Sequence, residues 1–208
     1  MYSKIKESYI LDNMEKIILA SSSAQRQKYF QVLGLPFKII PSQMEEILDE
    51  SLELRHGVEK LAIQKVNNVR HNNLSKEMPW IAGADTIISL NGQVYGKASD
   101  KEHARIMLSG LQGQTHQVIT AIALLNGRKN KIDCRSIISS VSFAKMGEGE
   151  IEWYLDTGEW EGVAGSYRIQ GLAACFITEI QGSFSSIVGL PLREFYVMLR
   201  DNGYPYGC

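Results

Sequence analysis

The chain has 208 residues, of which 44% are hydrophobic and 22% are charged, and its formal net charge at pH 7 is −1. This composition is ordinary for a soluble globular protein and excludes disorder, collagen and coiled coil, while the length fits one large domain or two small lobes. The near-neutral charge disfavours nucleic acid as a partner, and the longest apolar run, residues 172–177, is too short to span a membrane.

The cysteines and the N-terminus bear on the cellular compartment. Cys134, Cys175 and Cys208 are odd in number and widely separated, and they form no CxxC pair. This usage predicts a reducing compartment and hence a cytoplasmic protein. Residues 1–13 lack the apolar core of a signal peptide, so we interpret them as an N-terminal extension to a single domain over residues 14–208.

Hydrophobic periodicity predicts alternating strands and helices in the first half of the chain. A buried strand over residues 16–21 leads into a helix that Ser22 or Ser23 caps and that ends at Gly34. The next predicted elements are a strand over 37–40, a helix over 58–69, a strand over 80–84 that runs into Asp85-Thr86, and a hairpin of residues 87–90 and Gln93–Tyr95 around Asn91-Gly92.

The second half continues the alternation. A capping-box pattern, Ser99-Asp100-Lys101-Glu102, predicts a helix that Gly110 ends. Further predicted elements are strands over 116–125 and 134–143, a helix over 148–155, a strand over 173–180 and a last helix from Pro191 to Asn202 with Gly203 as its stop. The order predicts an α/β fold with mixed strands, in one unit or in two lobes around a cleft.

Polar groups are concentrated first where the strand over 16–21 gives way to a helix. Residues 19–26 (LASSSAQR) combine serine hydroxyls, the free N–H groups of a helix start and the guanidinium of Arg26. That combination suits a phosphate. The alternative is simple N-capping by a serine, with Arg26 in solvent.

A second polar position is Asp85, at the end of the apolar run over 80–84. Ligands of α/β sheets bind at the carboxyl ends of strands, where Asp85 would bind a hard divalent cation or deprotonate a water. The alternative is a turn-forming aspartate whose side chain bonds the next backbone N–H.

The third polar segment is residues 164–171, in which Gly165 and Gly171 flank polar and aromatic groups. Two glycines there suit the close approach of a planar base, or else a glycine-rich connection between strands. Lys65 and Lys97 are isolated cations that bind an anion or are simply solvated. Most of the acidic residues between 45 and 53 are interpreted as a solvated helix face.

Several strong catalytic motifs are missing. The chain has no HExxH, no paired CxxC and no GxSxG, which disfavours a zinc site and a serine-hydrolase elbow. Residues 92–98 resemble a phosphate loop, but the segment is one residue short and Ala98 replaces Ser or Thr. We therefore do not interpret it as a Walker loop.

The polar segments belong to a longer series of motifs that occur in one order. They are Leu19-Ala20-Ser21-x-Ser23, Gly83-Ala84-Asp85-Thr86, Gly96-Lys97, Leu108-Ser109-Gly110-Leu111-x-Gly113-x-Thr115-His116-x-Val118-x-Thr120, Ala164-Gly165-x-Tyr167-x-Ile169-Gln170-Gly171 and Val188-Gly189-Leu190-Pro191. From about residue 16 to residue 199, the chain closely resembles the Maf family of nucleoside triphosphate pyrophosphatases.

The resemblance implies a fold, a reaction and partners. The fold would be a mixed twisted sheet with flanking helices and two lobes around a cleft, similar to that of inosine triphosphate pyrophosphatases. The reaction would be hydrolysis of a nucleoside triphosphate to the monophosphate and pyrophosphate with a divalent cation, Mg²⁺ or Mn²⁺. The resemblance also implies a homodimer.

Site residues follow from the resemblance one by one. Asp85 matches the proposed proton acceptor, and Glu46 matches an acidic residue that, with Asp85, helps to bind the metal. The positions that match phosphate contacts are Ser21, Arg26, Lys65 and Lys97.

Substrate preference depends on three further positions. Thr86 and Gln170 match the subgroup that prefers dTTP and UTP rather than 7-methyl-GTP, whereas Gln25 stands where the family has an arginine that sets specificity. Other departures are Ala98, Ser166 and Arg168. We expect hydrolysis of dTTP, UTP or modified pyrimidine triphosphates, and the alternative is a non-catalytic nucleotide-binding regulator of cell division.

Overall fold

The computed structural model describes residues 14–73 and 79–206, so the extension predicted over 1–13 lies outside the described residues. The strands are β1 (Ile17–Leu19), β2 (Phe37–Ile39), β3 (Trp80–Leu90), β4 (Gln93–Tyr95), β5 (Thr115–Asn126), β6 (Lys131–Phe143) and β7 (Ile177–Gln181). The α-helices are α1 (Ala24–Val32), α2 (Leu54–His71), α3 (Lys101–Leu111), α4 (Glu148–Asp156), α5 (Phe184–Val188) and α6 (Leu192–Asp201), and a 3₁₀ helix spans Leu172–Phe176.

The strands form one mixed sheet. Its order is β2-β1-β3-β5-β6-β7, with β4 paired to β3. Strand β1 runs parallel to both β2 and β3, in the register Ile18↔Ile81 and Leu19↔Ala82. The pairs β3/β4 and β6/β7 are antiparallel. The predicted α/β class with mixed strands and flanking helices is confirmed.

The described chain divides into two compact units. The first contains the residues up to Asp85, Ala121–Ser136 and the chain from Gly189 onward. The second contains Thr86–Thr120 and Ile137–Val188. Strands β3, β5 and β6 each contribute residues to both units, and β3 passes from the first to the second between Asp85 and Thr86.

The first unit has its own core, built from β1, α1, β3, β5 and α6. Helix α6 has apolar side chains at helical spacing, so Phe195, Met198 and Leu199 lie on one buried face. Phe195 packs against Phe30 of α1, with ring centroids 5.2 Å apart. These contacts fix the start of α1 beside the end of β1, where the first polar segment lies.

The core of the second unit forms around α3, α4 and the aromatic side chains between them. Tyr167 packs edge-on against Phe143, with ring centroids 4.9 Å apart. Leu108 and Leu111 of α3 are fully buried in the same cluster. None of the helices in residues 14–73 and 79–206 is long and apolar enough to cross a lipid bilayer.

Two predicted boundaries are wrong because tertiary contacts override local signals. The predicted break at Asp85-Thr86 is absent, and β3 is one continuous strand of 11 residues. Gly110 does not end α3, which continues to Leu111 because that side chain is fully buried. A Cβ at Gly110 would lie 2.8 Å from the Tyr95 hydroxyl, so a side chain there would have to displace the end of the Tyr95 side chain.

The region after residue 171 also differs from the prediction. The first half of the strand predicted over 173–180 is the 3₁₀ helix, and only its second half is β7. Glu159 accepts a hydrogen bond from Leu172 N at 2.8 Å and so holds the start of that helical turn. Helix α5 was missed, although Ser183 accepts from Ser186 N at 3.3 Å in the manner of an N-cap.

Candidate phosphate-binding site

The start of α1 holds a network around Ser21. Ser23 is the N-cap residue and its side chain accepts from Arg26 N. Ser21 Oγ accepts from Ser23 N at 3.2 Å and from Arg26 Nη1 at 3.1 Å. The predicted capping is therefore confirmed, and the same turn also orients the guanidinium of Arg26.

Arg26 is a buried cation, so the alternative that places it in solvent is wrong. Only 9% of it is exposed, and its Nε donates to the Gly189 carbonyl oxygen at 2.9 Å. Burial lowers the pKa of Arg26, whereas the negative charges of Asp85 and Glu46 raise it. Because a guanidinium stays protonated in proteins, Arg26 brings a fixed positive charge to those two carboxylates.

Lys65 is a second buried cation, only 4% exposed, so it is not a solvated surface lysine. It extends from α2, and its Nζ lies 2.5 Å from Asp85 Oδ1 and 2.8 Å from Glu46 Oε1. Nζ also lies 3.4 Å from the Ala84 carbonyl oxygen. One ammonium group therefore bridges two carboxylates that are 39 residues apart in sequence.

Gly83 brings α2 and β3 close enough for this bridge. A Cβ at Gly83 would lie 3.0 Å from the Ala62 carbonyl oxygen, 3.0 Å from Val66 Cγ2 and 3.3 Å from Lys65 Cβ. A side chain here would force α2 away from the strand by a few tenths of an ångström, and the position of Lys65 would shift with it. A glycine two residues before Asp85 is thus a packing requirement of the site.

Asp85 lies inside β3 and not in a turn, so the alternative of a turn-forming aspartate is wrong. The paired residues of β1 and β3 end with Leu19↔Ala82, three residues before Asp85. Asp85 therefore lies just past the carboxyl end of the parallel pairing, where an α/β sheet binds ligands. Its burial inside a strand is tolerated because the Lys65 ammonium compensates its charge.

The acidic segment is mostly a loop before α2, so its interpretation as a helix face is wrong. Glu46 and Asp49 precede Leu54, where α2 begins. Asp49 accepts hydrogen bonds from the exposed Lys60 at 2.7 Å and from Ser51 at 2.6 Å. These bonds lower the pKa of Asp49 to about 2. Glu46 differs because its carboxylate reaches the buried ammonium of Lys65 while 44% of its side chain stays exposed.

The two carboxylates fit a cation that is shared with a substrate. Within residues 14–73 and 79–206, no three His, Cys, Asp or Glu side chains are grouped as a complete metal cage. Mg²⁺ is commonly held by one or two carboxylates together with the phosphates of a substrate. Glu46 and Asp85, which converge on one ammonium, match that donor set.

Lys97 and Gln170 both lie in the second unit. Lys97 forms an isolated antiparallel bridge with Ala164, and Gly165 N donates to the Gly96 carbonyl oxygen at 2.9 Å. Lys97 and Gln170 are both exposed. The segment over 164–171 is thus a turn-rich connection whose polar side chain at Gln170 faces solvent.

Thr86 is half-buried and belongs to a group of hydroxyls in the second unit. Thr120 Oγ1 lies 3.0 Å from Thr86 Oγ1 and 2.7 Å from the carbonyl oxygen of Ser186 in α5. Thr120 is fully buried. We call Thr86, Thr120 and the Ser186 carbonyl the hydroxyl chain.

His116 is a further buried group that the site does not use. Its Nε2 lies 2.8 Å from the Tyr167 hydroxyl, and its Nδ1 has no hydrogen-bond partner among the described residues. Burial lowers the pKa of His116 to about 4 and raises the pKa of Tyr167. The histidine is therefore a neutral core residue.

The structure brings five predicted residues together in the first unit. We call Arg26, Glu46, Lys65 and Asp85 the charged cluster, and Ser21 orients its guanidinium. Gln25 is half-buried in the first turn of α1. The remaining three predicted residues, Thr86, Lys97 and Gln170, belong to the second unit.

Two contributors were not singled out from the sequence. The Gly189 carbonyl orients Arg26, and Thr120 contacts Thr86, although both residues occur in the motifs quoted above. Their roles depend on partners 163 and 34 residues away in sequence. Local patterns carry no signal for such distant contacts.

Fold and site together define an α/β protein whose first unit brings two buried cations and two carboxylates together. The chain belongs to the Maf-like protein family, whose sequence model matches residues 16–202. The predicted family resemblance is confirmed.

Several relatives carry the same name. A protein from Symbiobacterium thermophilum named dTTP/UTP pyrophosphatase is 38% identical over 194 residues, covering 92% of this chain and 96% of the relative. Relatives of that name from Escherichia coli O157:H7 and Fusobacterium nucleatum are 40% and 36% identical, each over 188 residues that cover 90% of this chain and 93% and 96% of the relative. Among solved structures, the Staphylococcus aureus Ham1 protein gives a TM-score of 0.45 at 15% identity, covering 65% of this chain and 78% of that one.

Proposed function

We propose that this protein is a nucleoside triphosphate pyrophosphatase that hydrolyses dTTP and UTP to the monophosphate and pyrophosphate. The observation that carries the proposal is the charged cluster, in which two buried cations face two carboxylates, within a chain 36–40% identical to proteins named for that activity. A triphosphate carries several negative charges, and fixed cations in a buried site stabilise them strongly.

The cations bind the phosphates and stabilise charge as the anhydride bond breaks. Arg26 is held in one orientation by Ser21 and Gly189, so its guanidinium presents a fixed positive charge to a phosphate. Lys65 acts as a point charge beside Asp85. We assign Ser21 and Lys97 as further phosphate contacts from the family resemblance.

Asp85 accepts the proton of the attacking water, which strikes the α-phosphorus. A carboxylate has two oxygens, so a bond from Lys65 to Oδ1 leaves capacity to accept a proton. Glu46 and Asp85 would hold a divalent cation, Mg²⁺ or Mn²⁺, which would neutralise charge on the phosphates. Tight metal binding by Asp85 and proton acceptance by Asp85 would compete, so the role of Asp85 needs a test of its own.

Base preference is assigned to Thr86 and Gln170. Both match the dTTP/UTP subgroup, and Gln25 replaces an arginine of the family's specificity position. Without that guanidinium, a hydrogen bond to a charged group worth roughly 1.5–3 kcal/mol is lost. The base preference of this chain therefore differs from that of relatives with the arginine, and modified pyrimidine triphosphates are included among the substrates to be tested.

The test is pyrophosphate release from dTTP, UTP, CTP, 5-methyl-UTP and 7-methyl-GTP, with Mg²⁺ or Mn²⁺ added. The proposal expects dTTP and UTP to be hydrolysed fastest, and EDTA to stop the reaction. Tight nucleotide binding without pyrophosphate release would reject the enzyme and match the non-catalytic regulator instead. Size-exclusion chromatography and fractionation of the source cells test the expected homodimer and the expected cytoplasmic location.

A further inference from the structure

The backbone on both sides of Gln170 is held by side chains from α4 and from the turn that follows it. Two residues before Gln170, Arg168 N donates to the Tyr154 hydroxyl at 3.1 Å. Two residues after it, Leu172 N donates to Glu159 Oε2 at 2.8 Å. The Gln170 side chain itself is exposed. The place of Gln170 is therefore set by groups that lie outside its own segment of the chain.

Both acceptors are fixed by the end of α4. Tyr154 is fully buried, and its pKa is raised to about 12 by burial and by the nearby charge of Glu159, against the bond from Arg168 N. Thr157 Oγ1 donates to the Tyr154 carbonyl oxygen at 2.6 Å and accepts from Glu159 N at 3.2 Å. The same turn thus fixes the backbone of Tyr154 and of Glu159.

Gly171 allows the Glu159 carboxylate to approach the chain next to Gln170. The backbone of Gly171 is extended, with φ −114° and ψ −150°, so space rather than conformation excludes a side chain. A Cβ at Gly171 would lie 2.6 Å from Glu159 Oε1 and 2.7 Å from Glu159 Cδ. Because the carboxylate is the end of a flexible side chain, a Cβ would displace it from Leu172 N.

We propose that Glu159 is a positioning residue for base selection, and that with Tyr154 it holds Gln170 in place. The inference rests on the proposed function, in which Gln170 contacts the base. The Gln170 amide carries both donors and an acceptor. Uracil has a carbonyl at C4 and a protonated N3, where cytosine has an amino group and an unprotonated N3. An amide on a fixed backbone pairs well with one of these patterns, whereas an amide on a mobile backbone adjusts to both.

Glu150 provides a matched control at the start of α4. Its Oε2 accepts from Gly147 N at 2.8 Å, so it makes the same kind of bond as Glu159, at the same length. Glu150→Ala removes that bond and leaves both bonds around Gln170 in place. Any general effect of losing a carboxylate-to-backbone bond near α4 is therefore common to Glu150→Ala and Glu159→Ala.

The experiment measures kcat/KM for UTP and for CTP by pyrophosphate release and compares the UTP-to-CTP ratio between variants. We expect wild type to prefer UTP, and Glu159→Ala to lower the ratio about two- to tenfold, the usual worth of one hydrogen bond. Gly171→Ala should lower it as well, because it displaces the carboxylate. Glu159→Gln keeps an oxygen that accepts from Leu172 N, so it should retain the wild-type ratio, as should Glu150→Ala.

The effect must pass through Gln170, and a double variant tests this. Gln170→Ala should lower the ratio at least as far as Glu159→Ala does. Adding Glu159→Ala to Gln170→Ala should change the ratio no further, because no amide is left to hold. A further fall in the double variant, or a wild-type ratio in Glu159→Ala, would overturn the inference. A wild-type ratio in Gln170→Ala would overturn the assignment of Gln170 as well.

Amide hydrogen exchange over residues 168–172 tests the positioning without reference to activity. We expect faster exchange in Glu159→Ala than in wild type or Glu150→Ala, because the bond at Leu172 N is lost. Unchanged exchange in Glu159→Ala would overturn the inference even in an active enzyme. If wild type released no pyrophosphate from dTTP or UTP, the proposed function would fail, and the role in base selection would fail with it, whatever the exchange rates.

Discussion

The two units bury polar groups in opposite ways. In the first, the charged cluster pairs two cations with two carboxylates, and the attraction has no strict direction. In the second, the hydroxyl chain and the His116–Tyr167 pair are neutral and depend on where each proton points. Charged groups suit the recognition of a triphosphate, because every nucleoside triphosphate carries the same phosphates. Directional hydroxyls suit the recognition of a base, because the bases differ in their hydrogen-bonding groups.

The largest effect is expected from the carboxylate that the proposed reaction needs. Asp85→Asn keeps the shape of the side chain but removes its capacity to accept a proton. We expect pyrophosphate release to fall about 100-fold or more, the usual worth of a general base. Steady-state kinetics with dTTP and circular dichroism measure the rate and the fold.

A matched control for Asp85 lies in the same unit. Asp49 also pairs with a lysine, at 2.7 Å, but on the exposed surface. Asp49→Asn should leave the rate unchanged. Near-normal turnover of Asp85→Asn would show that Asp85 does not accept a proton in the reaction, and it would contradict the catalytic role given to the charged cluster.

The next effect concerns stability. Lys65→Met removes the ammonium that compensates the buried Asp85, and an uncompensated buried charge costs about 3 kcal/mol or more in the free energy of unfolding. Urea unfolding at neutral pH measures that loss. Lys60→Met breaks the exposed pair with Asp49 and should change stability little. Equal losses in the two variants would contradict the claim that burial makes the Lys65 bridge special.

These contrasts also explain how much of the molecule the sequence predicts. Strand β1, helix α1 and helix α6 depend on local signals, such as the Ser23 cap and the apolar face of Phe195 and Met198, and they were predicted well. The register between paired strands and the burial of Lys65 depend on residues that are distant in sequence. For that reason, solvated alternatives stayed open for Arg26 and Lys65 until their contacts were known.

The errors have the same origin. Gly110 is a normal helix stop by local rules, but α3 continues past it because the Leu111 side chain is buried. Asp85 is a normal turn residue by local rules, but Lys65 makes its place in a strand stable. Site residues were identified from the family resemblance, whereas Gly189 and Thr120 become visible only as contacts.

His116 in the second unit gives a smaller effect that depends on pH. Burial lowers the pKa of His116 to about 4 from its ordinary value of 6.5, so the folded protein favours the neutral ring. Its contribution to stability is complete above pH 6.5 and is lost as the pH falls toward 4, because the unfolded chain takes up the proton first. Between pH 7 and pH 5 this amounts to roughly 1–2 kcal/mol.

Urea unfolding at both pH values tests this prediction. In His116→Gln the loss of stability between pH 7 and pH 5 should shrink by that amount. An identical pH dependence in His116→Gln and wild type would show that the ring is not held neutral by the fold.

The smallest expected effect separates the two kinds of recognition by salt. Added KCl screens attraction between a triphosphate and the charged cluster, and the chain's net charge of −1 supplies no broad field to compensate. We expect KM for UTP to rise about two- to fivefold between 50 and 500 mM KCl at constant free Mg²⁺. The UTP-to-CTP ratio of kcat/KM should stay constant, because both substrates carry the same phosphates and the hydroxyl chain is neutral. A ratio that falls with salt would mean that charge also discriminates between the bases.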